Sequence, residues 1–298
     1  MLFKLSSLAY ALTLFFMMFL NRQEHHKTYA TEHATSLRDT QKTPQNMAIH
    51  FVLFILLVLH GYACYLDIFT SKGLVFGFAQ ALSLMAWVGI ALYWIESWFF
   101  SLQGMLPLVL VLATLFSFLP ALFEGSIIST KSVHSPGFKL HFITANIAYG
   151  VMFLAALQAT LMTWQDRNLR SNHSKSNKSL VEMLLLGSPS RLLDQLPPLM
   201  TMERVLFSII GIGFCLLTVA VFSGVFFSQA LFGRALIFDH KTVFALLSWS
   251  MFGGLLYAHW KVGLRGTEAL RWVLGSFGVL LLAYVGSRFV FEVVLNKV

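Results

Sequence analysis

Eight stretches of this sequence run for about the width of a bilayer with few or no charges: residues 1–20, 47–69, 74–99, 106–123, 138–164, 205–227, 242–260 and 270–294. A helix rising about 1.5 Å per residue needs about 20 mainly apolar residues to cross the hydrocarbon layer, so each stretch reads as a membrane helix. The rest of the composition leaves little choice. Only 11% of the residues are charged, against about 25% in soluble domains, and the mean hydropathy is +0.72. So few charges cannot dress a water-facing surface, and lipid must cover the molecule instead. The expected fold is all-α, a polytopic integral membrane protein of about eight transmembrane helices forming one helical domain over 1–298.

Two of the eight need comment. Residues 106–123 are short and carry Pro107 and Pro120. Residues 1–20 have the length of a secretory signal, but "NRQEHH" follows them with no small-x-small cleavage pattern, so they read as a retained first helix. Two long polar connections, 21–46 and 166–202, separate helices one and two and helices five and six. The first holds His25, His26 and His33, without Cys or regular ligand spacing, and reads as a solvated loop before a metal site. The second contains "SLVEMLLLGSPSRLLDQLPPLM", an amphipathic segment suited to a bilayer surface and ended by Pro197 and Pro198.

Charge sets the orientation. Of the 21 Lys and Arg residues, eight (Lys4, Lys72, Lys131, Lys139, Arg234, Lys241, Arg288 and Lys297) lie on the side of the termini; the other thirteen lie on the opposite side. Basic residues stay cytoplasmic. Both termini are therefore expected outside, with 21–46 and 166–202 cytoplasmic, in a bacterial inner membrane. The same rule accounts for the net charge of +8 without a nucleic-acid partner, and no basic, aromatic-interleaved groove motif is present. Cys64 and Cys215 stand alone in apolar runs, which offers neither a thiol pair nor a disulfide framework.

Within this apolar chain the polar exceptions carry the functional information. His60 lies inside helix two ("LVLHGYACYLD"), His141 opens helix five ("FKLHFITANIAYG"), His240 opens helix seven and His259 closes it ("LLYAHWKVGLRG"). Ionisable groups in a span are costly and call for a partner, either a neighbouring helix or a ligand. His141 shares a helix face with Ala145, Ala148, Tyr149, Met152 and Ala156, small enough for a flat ligand or a close helix. Haem suits paired imidazoles in a dry pocket, with its propionates meeting a cation such as Arg234 or Lys241. No dinucleotide loop, phosphate-binding loop, zinc helix or nucleophile elbow occurs, so hydrolysis and phosphoryl transfer have no support.

The segment "ALFGRALIFDHKTVFALLSW" (230–249) is a polar island between helices six and seven, facing outward on the charge reading. It resembles the outward-facing W-G-x-x-W-x-W-D-P-K-E-T-W segment of the cytochrome c assembly membrane proteins, the haem-handling family that includes CcsA. Phe232-Gly233 stands at W-G, Phe238-Asp239 at W-D, Lys241 two residues after the Asp and Trp249 ten after it. Upstream, "GFCLLTVAVFSGVFF" resembles the family's helix ending in L-x-S-G. "LLYAHWKVGLRG" resembles its "YLHTR" helix end, placing His259 on a transmembrane His. "LHFITANIAYGVMFLAALQ" resembles its "MHVxxxxxSYAxLxxG" helix, placing His141 on an outer-face His.

The departures point to one branch. Phe232, Leu236 and Phe238 replace the tryptophans, His240 the proline and Thr242 the glutamate. Helix eight reads "AYVGSRFVFE" where the family has a second outer His. This combination, with "LPPLMTMERVLF", is similar to the smaller YpjD/HemX-like branch. The resemblance implies haem as the possible cofactor or cargo, held by His141 and His259, then by His60 and His240. It also implies an accessory role in cytochrome c assembly, with lipid and other assembly or membrane-complex subunits as partners, and not a full haem-attachment enzyme. On the spans above, His60 and His259 differ too much in depth to share one iron: either the helix ends lie several residues away, or His60 pairs with another group, His141 being one option. A non-enzymatic subunit supporting another membrane complex, such as a transporter, is the alternative. A secondary transporter fits less well, because no internal repeat is present.

Overall fold

The computed structural model describes residues 2–28, 44–70, 73–100, 102–128, 136–171, 196–232 and 240–295. Eight long helices follow in order: α1 (Leu2–Thr28), α2 (Pro44–Ile68), α3 (Phe78–Glu96), α4 (Leu106–Phe118), α5 (Pro136–Ser171), α6 (Leu199–Phe232), α7 (His240–Val262) and α8 (Gly266–Val294). Proline marks several starts. Pro44 and Pro136 open α2 and α5, Pro107 sits in the first turn of α4, and Pro197–Pro198 precede α6. Each falls where a helix has no use for the missing N–H. Among the described residues, six of these helices are long and apolar enough to cross a bilayer, and the apolar parts of α1 (Leu2–Phe16) and α4 (with its extension, Leu106–Ala121) are shorter. The chain is an all-α polytopic membrane protein.

The boundaries differ from the sequence expectation in instructive ways. Residues 74–77 do not join α3, because Gly73–Phe76 form a strand. This strand, β2, lies between β1 (Phe69–Thr70) and β3 (Ser126–Ile128) in a small antiparallel sheet, with Leu74 opposite Phe69 and Ile128. Buried Leu74 and Phe76 pack with Phe3, Ala63, Cys64, Ile68 and Ala81, so the sheet plugs one end of the bundle. Helices α5 and α6 extend past their expected apolar limits into the polar connections. Residue His33, most of the 21–46 connection, the amphipathic part of 166–202, and the island residues 233–239 with Arg234 lie outside the described residues.

Helix α5 is the centre of the bundle. It packs against α3, α6 and α8, while α1 and α4 pair on the far side of α3 and α7 pairs with α8. Small residues permit this. Ala148, Ala155, Ala156 and Ala159 on α5 are buried. At the α3–α5 crossing a Cβ on Gly150 would stand 2.3 Å from Val88 Cγ1, and one on Gly89 would stand 2.7 Å from Phe153. Membrane helices lack a hydrophobic drive toward one another, so close backbone approach and interhelical hydrogen bonds hold them together. Here those bonds include Trp87 Nε1–H to Leu57 O (2.8 Å), Tyr149 O–H to Leu280 O (3.0 Å), Ser248 O–H to Ser276 O (2.9 Å) and Trp249 Nε1–H to Thr218 Oγ1 (2.9 Å).

The two ends of the bundle differ. At the sheet end lie the starts of α3, α5 and α7 and the ends of α2, α4, α6 and α8. There Glu292 of α8 accepts the backbone N–H of Phe78 at the start of α3 (3.1 Å). It also faces Arg288, whose Nη1 lies 3.5 Å away and donates to Ser126 Oγ (2.8 Å). A carboxylate at a helix N-terminus compensates its unpaired N–H groups and dipole. At the opposite end, α7 turns into α8 through Gly263 and Gly266, both with positive φ (72° and 66°), a conformation that costs glycine little.

Candidate functional site

His141 sits in the second turn of α5 at the sheet end, facing α6. Its Nδ1 lies 3.0 Å from Ala220 O and 3.2 Å from Ser223 Oγ. A carbonyl oxygen only accepts, so Nδ1 must carry the proton, and the neutral ring then leaves the Nε2 lone pair bare. No partner of Nε2 occurs among the described residues. This is the arrangement in which a histidine binds a metal: one nitrogen donates to a carbonyl that sets the tautomer and ring orientation, and the other is presented. The donor chemistry fits one axial bond to a haem iron. The small-residue face below it does not extend the site, because Ala148, Met152 and Ala156 are buried in helix packing.

His240 opens α7 at the same end, exposed, its ring stacked on Phe291 of α8 at 6.0 Å and 25°. The Trp249–Thr218 bond fixes the relative level of α7 and α6. Counting about 1.5 Å per residue from it, His240 lies about 6 to 10 Å from the level of His141's partners Ala220 and Ser223. Lys241 follows it in the first turn of α7.

The other two histidines are elsewhere. His60 is fully buried, with Nδ1 3.3 Å from Tyr10 Oη and Nε2 2.9 Å from Ser83 Oγ. Both ring nitrogens are engaged by neighbouring helices, so His60 has no lone pair to offer iron, beside His141 or otherwise. His259 is at the opposite end. Its Nδ1–H donates to Leu264 O (2.8 Å) in the α7–α8 turn, and its ring lies flat on Phe207 with centroids 3.4 Å apart. Phe207 and Ala220 are on one helix, so the levels of His259 and His141 differ by about 20 Å. Two imidazoles must each come within about 2 Å of an iron to share it. His141 and His259 cannot be a pair.

Several polar groups were missed in sequence. Glu96 at the end of α3 accepts from Gln158 Nε2 through both carboxylate oxygens (3.0 and 2.9 Å). Gln158 also borders a shallow recess with Phe100, Leu102, Pro197, Thr201, Met202 and Val205, which encloses essentially no volume and is not a ligand pocket. "WIESW" and "VFEVV", each a lone Glu in an apolar run, were the available signals. Among the described residues no cluster of three or more His, Cys, Asp or Glu could hold a free metal ion. Among the described residues, that leaves single-imidazole ligation as the metal chemistry of the sheet end.

Residues 48–295 match the family model described as cytochrome C assembly protein. The inner membrane protein YpjD of Escherichia coli (strain K12) is 29% identical over 160 residues, 54% of either chain. The cytochrome c biogenesis protein CcsA of Heterosigma akashiwo is 26% identical over 203 residues, 62% of either chain. That of Synechococcus elongatus is 30% identical over 93 residues, 31% of this chain and 29% of the relative. The chain thus spans about half the length of the first of these relatives and less than two thirds of the others. A family match over most of the sequence, on a bundle of apolar helices, identifies a multi-pass bacterial inner membrane protein. The chain belongs to the cytochrome c assembly protein family, in its YpjD-like branch.

Proposed function

We propose that this protein binds or passes haem at the sheet end of the bundle, with His141 as the iron ligand through Nε2, in an accessory role in cytochrome c assembly. The observation that carries the reading is His141 Nδ1 at hydrogen-bond distance from Ala220 O and Ser223 Oγ, which sets the proton on Nδ1, with no partner of Nε2 among the described residues. His240 is the second group at that end, and Lys241 and Arg234 are the cations for the propionates. His60 and His259 hold helices. Bound haem supplies an iron that takes axial nitrogen ligands and a large apolar ring; the chain supplies one oriented imidazole and a membrane-embedded wall. The Lys and Arg distribution favours placing this end on the outer face, where c-type cytochromes mature in bacteria with an inner membrane.

The relatives' printed names support the class: two are cytochrome c biogenesis proteins. A partner-subunit role is the second reading. It is favoured by α7, of which only 17% of the apolar window is buried, and where Gly254 has open space around it. Absorption spectra of the detergent-purified protein, oxidised and dithionite-reduced, separate the two. Growth with haem precursor should yield a haem spectrum that survives His259→Ala and is lost in His141→Ala. A spectrum that stays featureless after direct haem titration overturns haem handling and leaves the partner-subunit reading.

A further inference from the structure

Near the end of α6 the run Val221-Phe222-Ser223-Gly224 passes beside the His141 ring. We infer that Ser223 and Gly224 form a built cradle for His141, two positioning residues that fix which ring nitrogen is presented and let the ring seat against α6. The inference rests on the haem reading for its ligand, but its geometry stands separately.

Ser223 Oγ donates its proton to Ala220 O (3.0 Å). Its lone pairs therefore remain for His141, and at 3.2 Å it accepts from Nδ1–H alongside Ala220 O. The proton of Nδ1 is shared between two acceptors: the carbonyl has no proton to return, and the hydroxyl directs its own to Ala220 O. The opposite tautomer, with Nε2–H, would set a bare nitrogen against a carbonyl oxygen and a hydroxyl already committed elsewhere. Burial makes that arrangement costly, since Ala220 is 4% exposed. Gly224 lets the ring come this close to α6. A Cβ there would stand 3.1 Å from His141 Cε1, 3.5 Å from Nδ1 and 3.9 Å from Nε2. Cε1 is the carbon between the two nitrogens, so any side chain at 224 presses on the ring at Cε1, nearer Nδ1 than Nε2, and pushes the imidazole off α6. Glycine at this position lies inside a helix, where it costs about 1 kcal/mol relative to alanine; the close approach of the imidazole gives a reason for it.

The shared chemistry is that of any soft or borderline metal centre reached through one neutral imidazole. Changes to groups that orient a ligating histidine typically lower metal affinity about 10–100-fold. Ser223→Ala and Gly224→Ala are expected to weaken haem binding by that range, and Ser223→Thr, which keeps the hydroxyl, to restore it.

The deciding measurement does not need haem. Nitrogen NMR of protein labelled at histidine, in detergent, reports which ring nitrogen carries hydrogen, with His141 assigned through its loss in His141→Gln. The expected wild-type result is a single neutral tautomer with Nδ1 protonated. Ser223→Ala and Gly224→Ala should each shift the His141 signals, while Gly254→Ala, in open space, should not. A wild-type His141 that is Nε2-protonated or a mixture of tautomers overturns the cradle whatever the haem result. A fixed Nδ1–H tautomer in a protein that takes up no haem keeps the cradle and overturns the haem reading instead.

Discussion

His60→Ala destabilises the folded protein by about 3 kcal/mol, and the protein that remains folded still binds haem. The ring is fully buried and joins three helices: it is on α2, Tyr10 is on α1 and Ser83 on α3. Ser83 Oγ is also within 3.7 Å of Cys64 Sγ. Removing the imidazole leaves a cavity and strips partners from two hydroxyls. Hydrogen bonds between membrane helices average only about 0.6 kcal/mol, so most of the loss comes from the cavity, for which large-to-small changes cost about 2–5 kcal/mol. Unfolding in mixed micelles, followed by helical circular dichroism, measures it. The contrary outcome is an unchanged midpoint together with lost haem, which would make His60 a ligand after all.

Gly150→Ala costs about 2–3 kcal/mol, although alanine is the better helix former. A Cβ at 150 would meet Val88 Cγ1 at 2.3 Å, Val88 Cβ at 2.4 Å and the backbone oxygen of Met85 at 3.3 Å. Val88 belongs to α3 and its Cβ cannot rotate away, so α3 and α5 must part. Overpacking of this kind typically costs about 1–3 kcal/mol, and here it also loosens Gly89 against Phe153. Gly254→Ala on α7 meets nothing within 4 Å and should be neutral or stabilising by up to about 1 kcal/mol. Val88→Ala in the Gly150→Ala background should recover part of the loss, a coupling that a double-mutant cycle reads directly. Equal effects at 150 and 254 would contradict the crossing.

The sequence made the eight helices legible because lipid demands about 20 apolar residues per crossing, a pattern that survives any detail of packing. It did not show the small sheet. "FTSKGLVF" and "SII" are too short for strand periodicity, and they pair only because the ends of α2 and α4 and the start of α3 bring them together. The histidines were legible as exceptions in an apolar chain, but not their roles. His60 and His141 look alike in sequence; what separates them is whether neighbouring helices engage both ring nitrogens or one. The depth of His259 followed from its place at the end of α7, and the structure makes the separation from His141 explicit through Phe207 and Ala220. Ser223 and Gly224 were visible as a motif without a reason, since the side chain they hold lies on another helix.

The central claim is that haem sits at the His141 end of the bundle and not at the His259 end. A fluorophore placed on one exposed cysteine tests this, at Gly137→Cys beside the start of α5 or at Arg265→Cys in the α7–α8 turn, in a Cys215→Ala background that keeps only the buried Cys64. Bound haem quenches emission by energy transfer that falls steeply with distance, and the two levels differ by about 20 Å along the bundle. The account predicts strong quenching on haem addition for the label at 137 and clearly weaker quenching at 265, with both effects lost in His141→Ala. Stronger quenching at 265, or quenching at 137 that persists in His141→Ala, would contradict it.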